Sequence, residues 1–598
     1  MKVEENVRPN LENSIVNSAL WAAAADAIGW ITELVDKKGV VRRTGKGRVI
    51  RTVAWRRKVG GIAGVTVELP AGTYSDDTQL RLAVCRSIQG DGFFDVEAFA
   101  KVELSTWASY ALGGGRGTKL AASNIAKRDV NWFSNFYSQG DQVYFQGGGN
   151  GAAMRIQPHV WRQPRGSKRA YLLDVIKDSL VTHGHMRGVC GAVFHADCLA
   201  YVLESGEIPG PAEWRGFIAG LDEIFNVVKS DFQLGKFWLG AWEQGAGIDL
   251  ISAISDVANE MKSYVSRLGD FPVDVESGYL QALEVLECLS TCVGTGTNTA
   301  LAAAYLAWIG QDQEVEATIQ TAVNTLGSDT DTIGTMVGAL LGVISMAPPS
   351  WPIQDEGYIR CQAVRISRIA EGRSTDGYRY PDLMTWQPPS SQSNALQLDE
   401  QGRYLLNGFG NVEPIGKRWR SGAFTWEWFK ISFGQTILCK HRINAPPTEM
   451  LERKIADLPE AALLSSKKDP QPPRSTLNVA AESENRHPNL QLFPTQDVSH
   501  AEERSRASSS WELNKIVKDP EIKRNDDGTL GLPDSAHILQ SRSIAELTDI
   551  VIKSNFDSDV LGKCFLECAV GDRSIENLVA FSAIIGKAID VRQKKKSS

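Results

Sequence analysis

Two short segments hold residues able to grip a hard cation. Thr73-Tyr74-Ser75-Asp76-Asp77-Thr78 places a hydroxyl and two carboxylates just ahead of QLRLAVCRSI, an amphipathic helix pattern. Leu326-Gly327-Ser328-Asp329-Thr330-Asp331-Thr332 repeats the arrangement ahead of a second, apolar helix. Oxygen donors of this kind suit Mg²⁺, Mn²⁺ or Ca²⁺ rather than zinc. Alone, each segment is better read as a helix cap, because Ser and Asp at a helix start accept orphan backbone N–H bonds. Asp329 and Asp331, two apart, cannot share a face within a regular helix. At a loop-to-helix junction both can point at one ion. Together the segments change the balance: four carboxylates gathered in one core repel each other severely without a cation. A binuclear metal site relieves that conflict.

Other candidates are polar contacts for a ligand. The glycine run Gly147–Gly151 can offer backbone N–H groups to a diphosphate or ribose with no Cβ in the way. Asn150 adds a side-chain amide. No βαβ pattern surrounds the run, so it is not a dinucleotide fingerprint. Gly113-Gly114-Gly115-Arg116-Gly117 is a second such turn, read equally well as an ordinary loop. His183 and His185 form an HxH pair, but no third nitrogen or sulfur ligand stands nearby, which argues against zinc. His185 and His195 read as packing or hydrogen-bonding residues. Lys417-Arg418-Trp419-Arg420 mixes cations with an aromatic, as nucleic-acid grips do, yet reads better as a solvated turn beside a strand.

The elements that must position these residues are mostly helical. From about Leu11 to Ala370 one apolar helix pattern follows another, joined by glycine-rich turns. Gly334, Gly338 and Gly342 recur at i, i+4 and i+8, which predicts a buried helix packed closely on a neighbour. Residues 1–370 therefore read as an all-α core. Residues 371–445 are aromatic-rich; Phe424, Trp426 and Trp428 alternate as in a strand, and DEQG at 399–402 reads as a turn, giving a small β-containing appendage. Residues 446–510 read as a linker, and 511–598 as a small helical module suited to binding a partner or delivering substrate.

Composition sets outer bounds. The net charge of −7 makes nucleic-acid binding through a whole-protein positive field a poor reading. The nine cysteines include no CxxC pair, so neither a disulfide framework nor a zinc knuckle is expected. Cys288/Cys292 and Cys564/Cys568 are spaced as on buried helix faces. The polar N-terminus is unlike a signal peptide, and the apolar stretches Ser18–Ile31 and Ile333–Ala347 fall short of the ~20 residues of a spanning helix. A cytoplasmic location with no membrane is the expectation.

Five segments, in order, resemble the ADP-ribosylglycohydrolase family. Ala25-Asp26-Ala27-Ile28-Gly29 is similar to its GDALG, Ser75-Asp76-Asp77-Thr78 to its TDDT and Gly149-Asn150-Gly151-Ala152-Ala153-Met154-Arg155 to its GNGAAMR. Thr182-His183 resembles its T-H element, and Gly327–Thr332 its G-[GS]-D-T-D-T. The resemblance covers about residues 12–347. Ser75 for threonine keeps the ligand hydroxyl, Ala25 for glycine is a small change, and Ser328 is a familiar variant.

The resemblance implies a compact helical fold and two divalent cations, Mg²⁺ or Mn²⁺, held by Ser75, Asp76, Asp77, Asp329, Asp331 and Thr332. It implies hydrolysis of the bond from C1″ of ADP-ribose to an acceptor, releasing ADP-ribose from a modified protein or nucleic acid. Glu33 is the candidate for handling the proton or for gating the metal site, and Asp77 or another metal-bound carboxylate is the candidate base. Gly115, Gly147, Gly149, Asn150, Gly151, Met154 and His183 are the implied substrate contacts. The competing reading is a protein that binds ADP-ribose, or blocks a toxin as an antitoxin or immunity protein, without turnover.

Overall fold

The segment Leu11–Thr32 is apolar on every side, so no face of it can be left to water. In the computed structural model, which describes residues 10–268, 274–399, 401–442, 543–568, 577–578 and 580–588, it is the central helix α1, buried from Ser14 to Thr32. Asn10 caps it by accepting the Asn13 N–H at 2.8 Å. Next come α2 (Lys37–Thr44), the antiparallel hairpin β1 (Trp55–Val59) and β2 (Val65–Leu69), and α3 (Asp76–Ser87). Further along lie α4 (Arg116–Ile125), α5 (Leu172–Thr182), α6 (Met186–Ser205), α7 (Gly296–Ile309), α8 (Val315–Asn324), α9 (Thr330–Ile344) and α10 (Glu356–Ala370). Other helices complete the core.

The glycine stripe explains how α1 and α9 meet. A Cβ at Gly338 would fall 2.5 Å from the Trp21 carbonyl oxygen, and one at Gly342 2.7 Å from Ser18 Cα. At the other end, a Cβ at Gly29 would lie 2.5 Å from the Thr330 carbonyl oxygen. Backbone therefore touches backbone along the pair. Hydroxyls lock it: Ser18 Oγ donates to the Ala339 carbonyl at 2.7 Å, and Thr335 Oγ1 to that of Ala22 at 2.8 Å.

Several local expectations change. α1 and α6 are in fact long and apolar enough to span a membrane by length and composition; both are buried mainly in protein instead. The hairpin β1–β2 interrupts the all-helical reading of the core. Cys288 and Cys292 sit in a turn, not on a helix, because Glu287 takes a left-handed φ of 55°. Cys564 and Cys568 do lie buried on a helix.

Beyond α10, the strands β3 (Leu396–Leu398), β4 (Tyr404–Leu406), β5 (Gly410–Ser421), β6 (Phe424–Ile431) and β7 (Thr436–Arg442) form one antiparallel meander. The alternating aromatics fall in β6, and Asp399–Arg403 turns between β3 and β4 with Gly402 at φ 76°. Lys417–Arg420 lies inside β5 rather than in a turn, with Lys417 on Glu68 at 2.9 Å and Arg418 on Glu427 at 2.6 Å. Trp426, Trp428, Phe429 and Ile437 share one apolar core with the helices. The described part of 511–598 holds the helices Ile544–Lys553 and Ser558–Cys568 over their own small apolar cluster. The expected linker 446–510 lies outside the described residues.

Candidate functional site

α3 starts with two acids, and its unpaired N–H groups are met from two directions. Ser75 is the cap: its Oγ accepts from the Asp77 N–H and donates to Asp77 Oδ2, both at 3.2 Å. Asp26, deep in α1, supplies the rest. Its Oδ1 accepts from the Ser75 N–H at 3.0 Å; its Oδ2 accepts from the Thr78 N–H at 2.9 Å and hydroxyl at 2.6 Å. An interior acid of one helix thus caps the start of another.

Asp26, Asp77 and Asp331 converge, with one carboxylate oxygen from each within 4.8 Å of the others, all buried. Burial raises the pKa of all three; at Asp77 and Asp331 the neighbouring acids push further in the same direction. Asp77 Oδ1 has no hydrogen-bond partner among the described residues. A buried acceptor left so costs about 1–3 kcal/mol, and a hard cation would satisfy it. An all-oxygen donor set fits Mg²⁺ or Mn²⁺. Three of the roughly four acceptor positions of Asp26 are already filled, so Asp77 and Asp331 are the freer donors.

The remaining ligand candidates lie around this trio, Ser75 bonded to Asp77 and Thr332 to Asp331. Asp76 Oδ1 accepts from the Gly114 N–H at 2.6 Å; burial first, then the charges of Glu33 and Asp26, push its pKa up to about 7. Gly113 is required there: φ is 92°, and a Cβ would fall 2.5 Å from Asp76 Oδ1. Asp329 Oδ2 accepts from Asn150 Nδ2 at 2.8 Å. Thr332 is buried beside Asp331 and donates its N–H to Asp331 Oδ1 at 3.0 Å. Asp26 is a candidate that motif reading passed over as a ligand. Its signal was present, since it is the one charge beyond the first turn of the buried helix α1.

Glu33 closes the C-terminal end of α1, half-buried, with Arg57 of β1 3.2 Å from its Oε2. Burial raises its pKa and Arg57 opposes that rise. Arg57 lies 4.9 Å over the Trp30 ring, and Arg43 donates to the Ile31 and Glu33 carbonyls at 2.7 and 3.2 Å. The cation at each carbonyl suits the negative end of the helix.

The glycine run and His183 also meet. A Cβ at Gly151 would lie 3.0 Å from His183 Cε1, and one at Gly149 3.7 Å from His183 Nε2. Arg155 donates to Thr182 Oγ1 at 2.9 Å, and Thr182 Oγ1 shares a hydrogen bond with His183 Nδ1 at 2.7 Å. The other ring nitrogen of His183 lies towards the glycine run. Burial and Arg155 lower its pKa to about 3, so the ring stays neutral. Asn150 ties this loop to Asp329. Gly147 sits against Tyr137 and Tyr144, and Met154 is buried in the core. Gly115 caps α4 beside Asp76's partner Gly114, with open space where a Cβ would be. His185 caps α6, and His195 bonds Gln157 at 3.0 Å inside the core.

A helical core thus gathers acids from three motifs beside a glycine-rich loop. The ADP-ribosylglycohydrolase family model matches residues 8–367, and the chain belongs to that family. It is 24% identical over 299 residues to ADP-ribosylhydrolase ARH3 of Xenopus tropicalis, covering 48% of this chain and 78% of that protein. It is 26% identical over 156 residues to ADP-ribosyl-[dinitrogen reductase] glycohydrolase of Rhodospirillum rubrum, covering 25% of this chain and 45% of that one. A solved structure of an ADP-ribosylglycohydrolase-related protein complex aligns with 60% of this chain and 99% of its own at 18% identity and a TM-score of 0.39.

Proposed function

We propose that this chain hydrolyses the glycosidic bond between C1″ of ADP-ribose and an acceptor side chain of a modified protein, in a reaction dependent on divalent cations. The single observation that carries the reading is the unsatisfied Asp77 Oδ1 within the Asp26–Asp77–Asp331 trio. Ser75, Asp76, Asp77, Asp329, Asp331 and Thr332 would hold two cations, Mg²⁺ or Mn²⁺. Bound there, such cations supply Lewis acidity to ribose oxygens and to water.

The chain's own residues do the rest. The N–H groups of the glycine run donate to ribose or phosphate oxygens, and the neutral His183 ring adds a polar contact there. Glu33, at the end of α1 and held by Arg57, is placed to handle the proton of the leaving group or of water.

The test is release of free ADP-ribose from arginine-linked and serine-linked protein, modified nucleic acid and O-acetyl-ADP-ribose. Each is run with Mg²⁺, with EDTA, and with an Asp329→Ala/Asp331→Ala variant. Metal-dependent release that disappears in the variant supports hydrolysis and identifies the linkage. Binding of ADP-ribose without release from any substrate would replace hydrolysis by the binding or toxin-blocking reading.

A further inference from the structure

Between Asp36 and Glu68 the sequence contains no acid, yet residues 37–58 carry ten Lys and Arg. In a chain of net charge −7 this is a sharp segregation. The segment is also fixed in place. Arg43 and Arg57 anchor it on Glu33, Val49 exchanges two 2.8 Å hydrogen bonds with the Asn324 side chain of α8, and Gln320 of α8 donates to the Ile50 carbonyl at 3.0 Å. It therefore runs from the Glu33 end of α1 to the helix that precedes Asp329. Lys37, Lys38, Arg42, Lys46, Arg51 and Lys58 are exposed and form no ion pair among the described residues.

A second observation falls on the same stretch. Leu34, Val41, Ile50 and Ile62 are 74, 44, 49 and 99% exposed, four of the thirteen exposed large apolar side chains among the described residues. Leu34, directly after Glu33, holds a left-handed φ of 52°, an uncommon conformation for leucine that turns up where a site needs it. Single-stranded nucleic-acid grips interleave cations with exposed aromatic rings. The only aromatic here, Trp55, is buried, and the side chains between the cations are aliphatic. An acidic polypeptide that also carries apolar residues matches both the charge and the exposed aliphatics.

We infer that residues 34–62 form a docking rim for an acidic, apolar-containing polypeptide segment that flanks the modified side chain of a protein substrate. The substrate half of this inference rests on the hydrolase reading above; the docking half is measured without turnover. Fluorescence polarisation of the full chain is titrated with a labelled 15-residue peptide of Glu, Asp and Leu, a Lys/Leu peptide of equal length, and a 15-nucleotide single-stranded DNA. The acidic peptide should bind, weaken with salt, and lose on the order of tenfold in affinity in a Lys37→Glu/Lys38→Glu/Arg42→Glu variant. Leu34→Ser should weaken it as well, and unchanged melting temperatures show that both variants are folded. Release of ADP-ribose from a free ADP-ribosylated amino acid should be the same in the charge-reversed variant and the parent, while release from an acidic ADP-ribosylated peptide should fall. No acidic-peptide binding, binding indifferent to the charge reversal, or tighter binding of the DNA overturns the docking rim. Absence of ADP-ribose release from every substrate, with peptide binding intact, sinks only the hydrolase reading.

Discussion

Asp26 of α1 takes both the N–H and the hydroxyl of Thr78, at 2.9 and 2.6 Å, so the first turn of α3 is fixed by an acid fifty-two residues earlier. The orientation of Asp77, one residue before Thr78, depends on that grip. Asp26→Asn keeps the shape but turns an acceptor pair into one acceptor and one donor, facing three donors. The expected result is a loss on the order of 2–3 kcal/mol in urea unfolding, together with weakened Mg²⁺ binding by calorimetry. Unaltered metal affinity in a destabilised variant would leave Asp26 as a cap alone.

The α1–α9 contact gives a contrast between two glycines. Gly338→Ala places a methyl 2.5 Å from the Trp21 carbonyl, and backbone cannot give way cheaply. It should cost about 1–3 kcal/mol and disturb metal binding, since α9 begins at Asp331's motif. Gly357→Ala, in α10 with nothing within 4 Å of the added Cβ, should be neutral or raise stability by up to about 1 kcal/mol. Chemical denaturation of the pair checks both; equal losses would mean the close approach is not what constrains Gly338.

How much of this was written in the sequence divides by distance along the chain. The two acid motifs and the glycine run were legible because each is local, and the glycine stripe because it repeats at a spacing set by helix geometry. The hairpin β1–β2 left a signal too, since Val65, Val67 and Leu69 alternate with Thr66 and Glu68, but it lay within a long helical stretch. The partners of Asp76 and Asp329 were not legible: they are Gly114 and Asn150, 38 and 179 residues distant. Nor was the way the meander braces α3. Tyr74, just ahead of Ser75, donates to Asp355 at 2.9 Å, and Asp355 also accepts from Lys430 and Thr436. Local pattern names such residues but cannot pair them.

The far end of α3 supplies the next test. Arg86 is buried and bidentate to Glu103, with both contacts at 2.7 Å, and also donates to Gln435 at 2.8 Å and Tyr358 at 3.1 Å. Glu103→Gln leaves that guanidinium buried and uncompensated, which should cost about 3–5 kcal/mol. Replacing both partners, as in Arg86→Met/Glu103→Leu, should lose less than the single change, because no charge is stranded. A double variant less stable than Glu103→Gln would show that the pair itself, rather than the stranded charge, dominates.

Acid should act on the fold through two buried histidines. Burial, with Arg155 at His183 and Arg81 at His195, lowers each pKa to about 3 from 6.5. A histidine held neutral in the fold binds its proton first in the unfolded chain. The sign is therefore a loss of stability as pH falls below about 6.5, continuing to about 3, at up to about 1.4 kcal/mol per pH unit for each ring. The buried aspartates work against this, since their raised pKa values let the folded state bind protons first. A difference measurement removes them. His195→Gln keeps a hydrogen-bonding side chain beside Gln157 but has no ring to titrate. Its stability should fall less steeply than the parent's between pH 6.5 and 4 by close to one proton's slope, and the gap between the two should narrow with acid. Urea midpoints at four pH values decide it: parallel curves would mean that His195 is protonated in the fold as readily as in the unfolded chain.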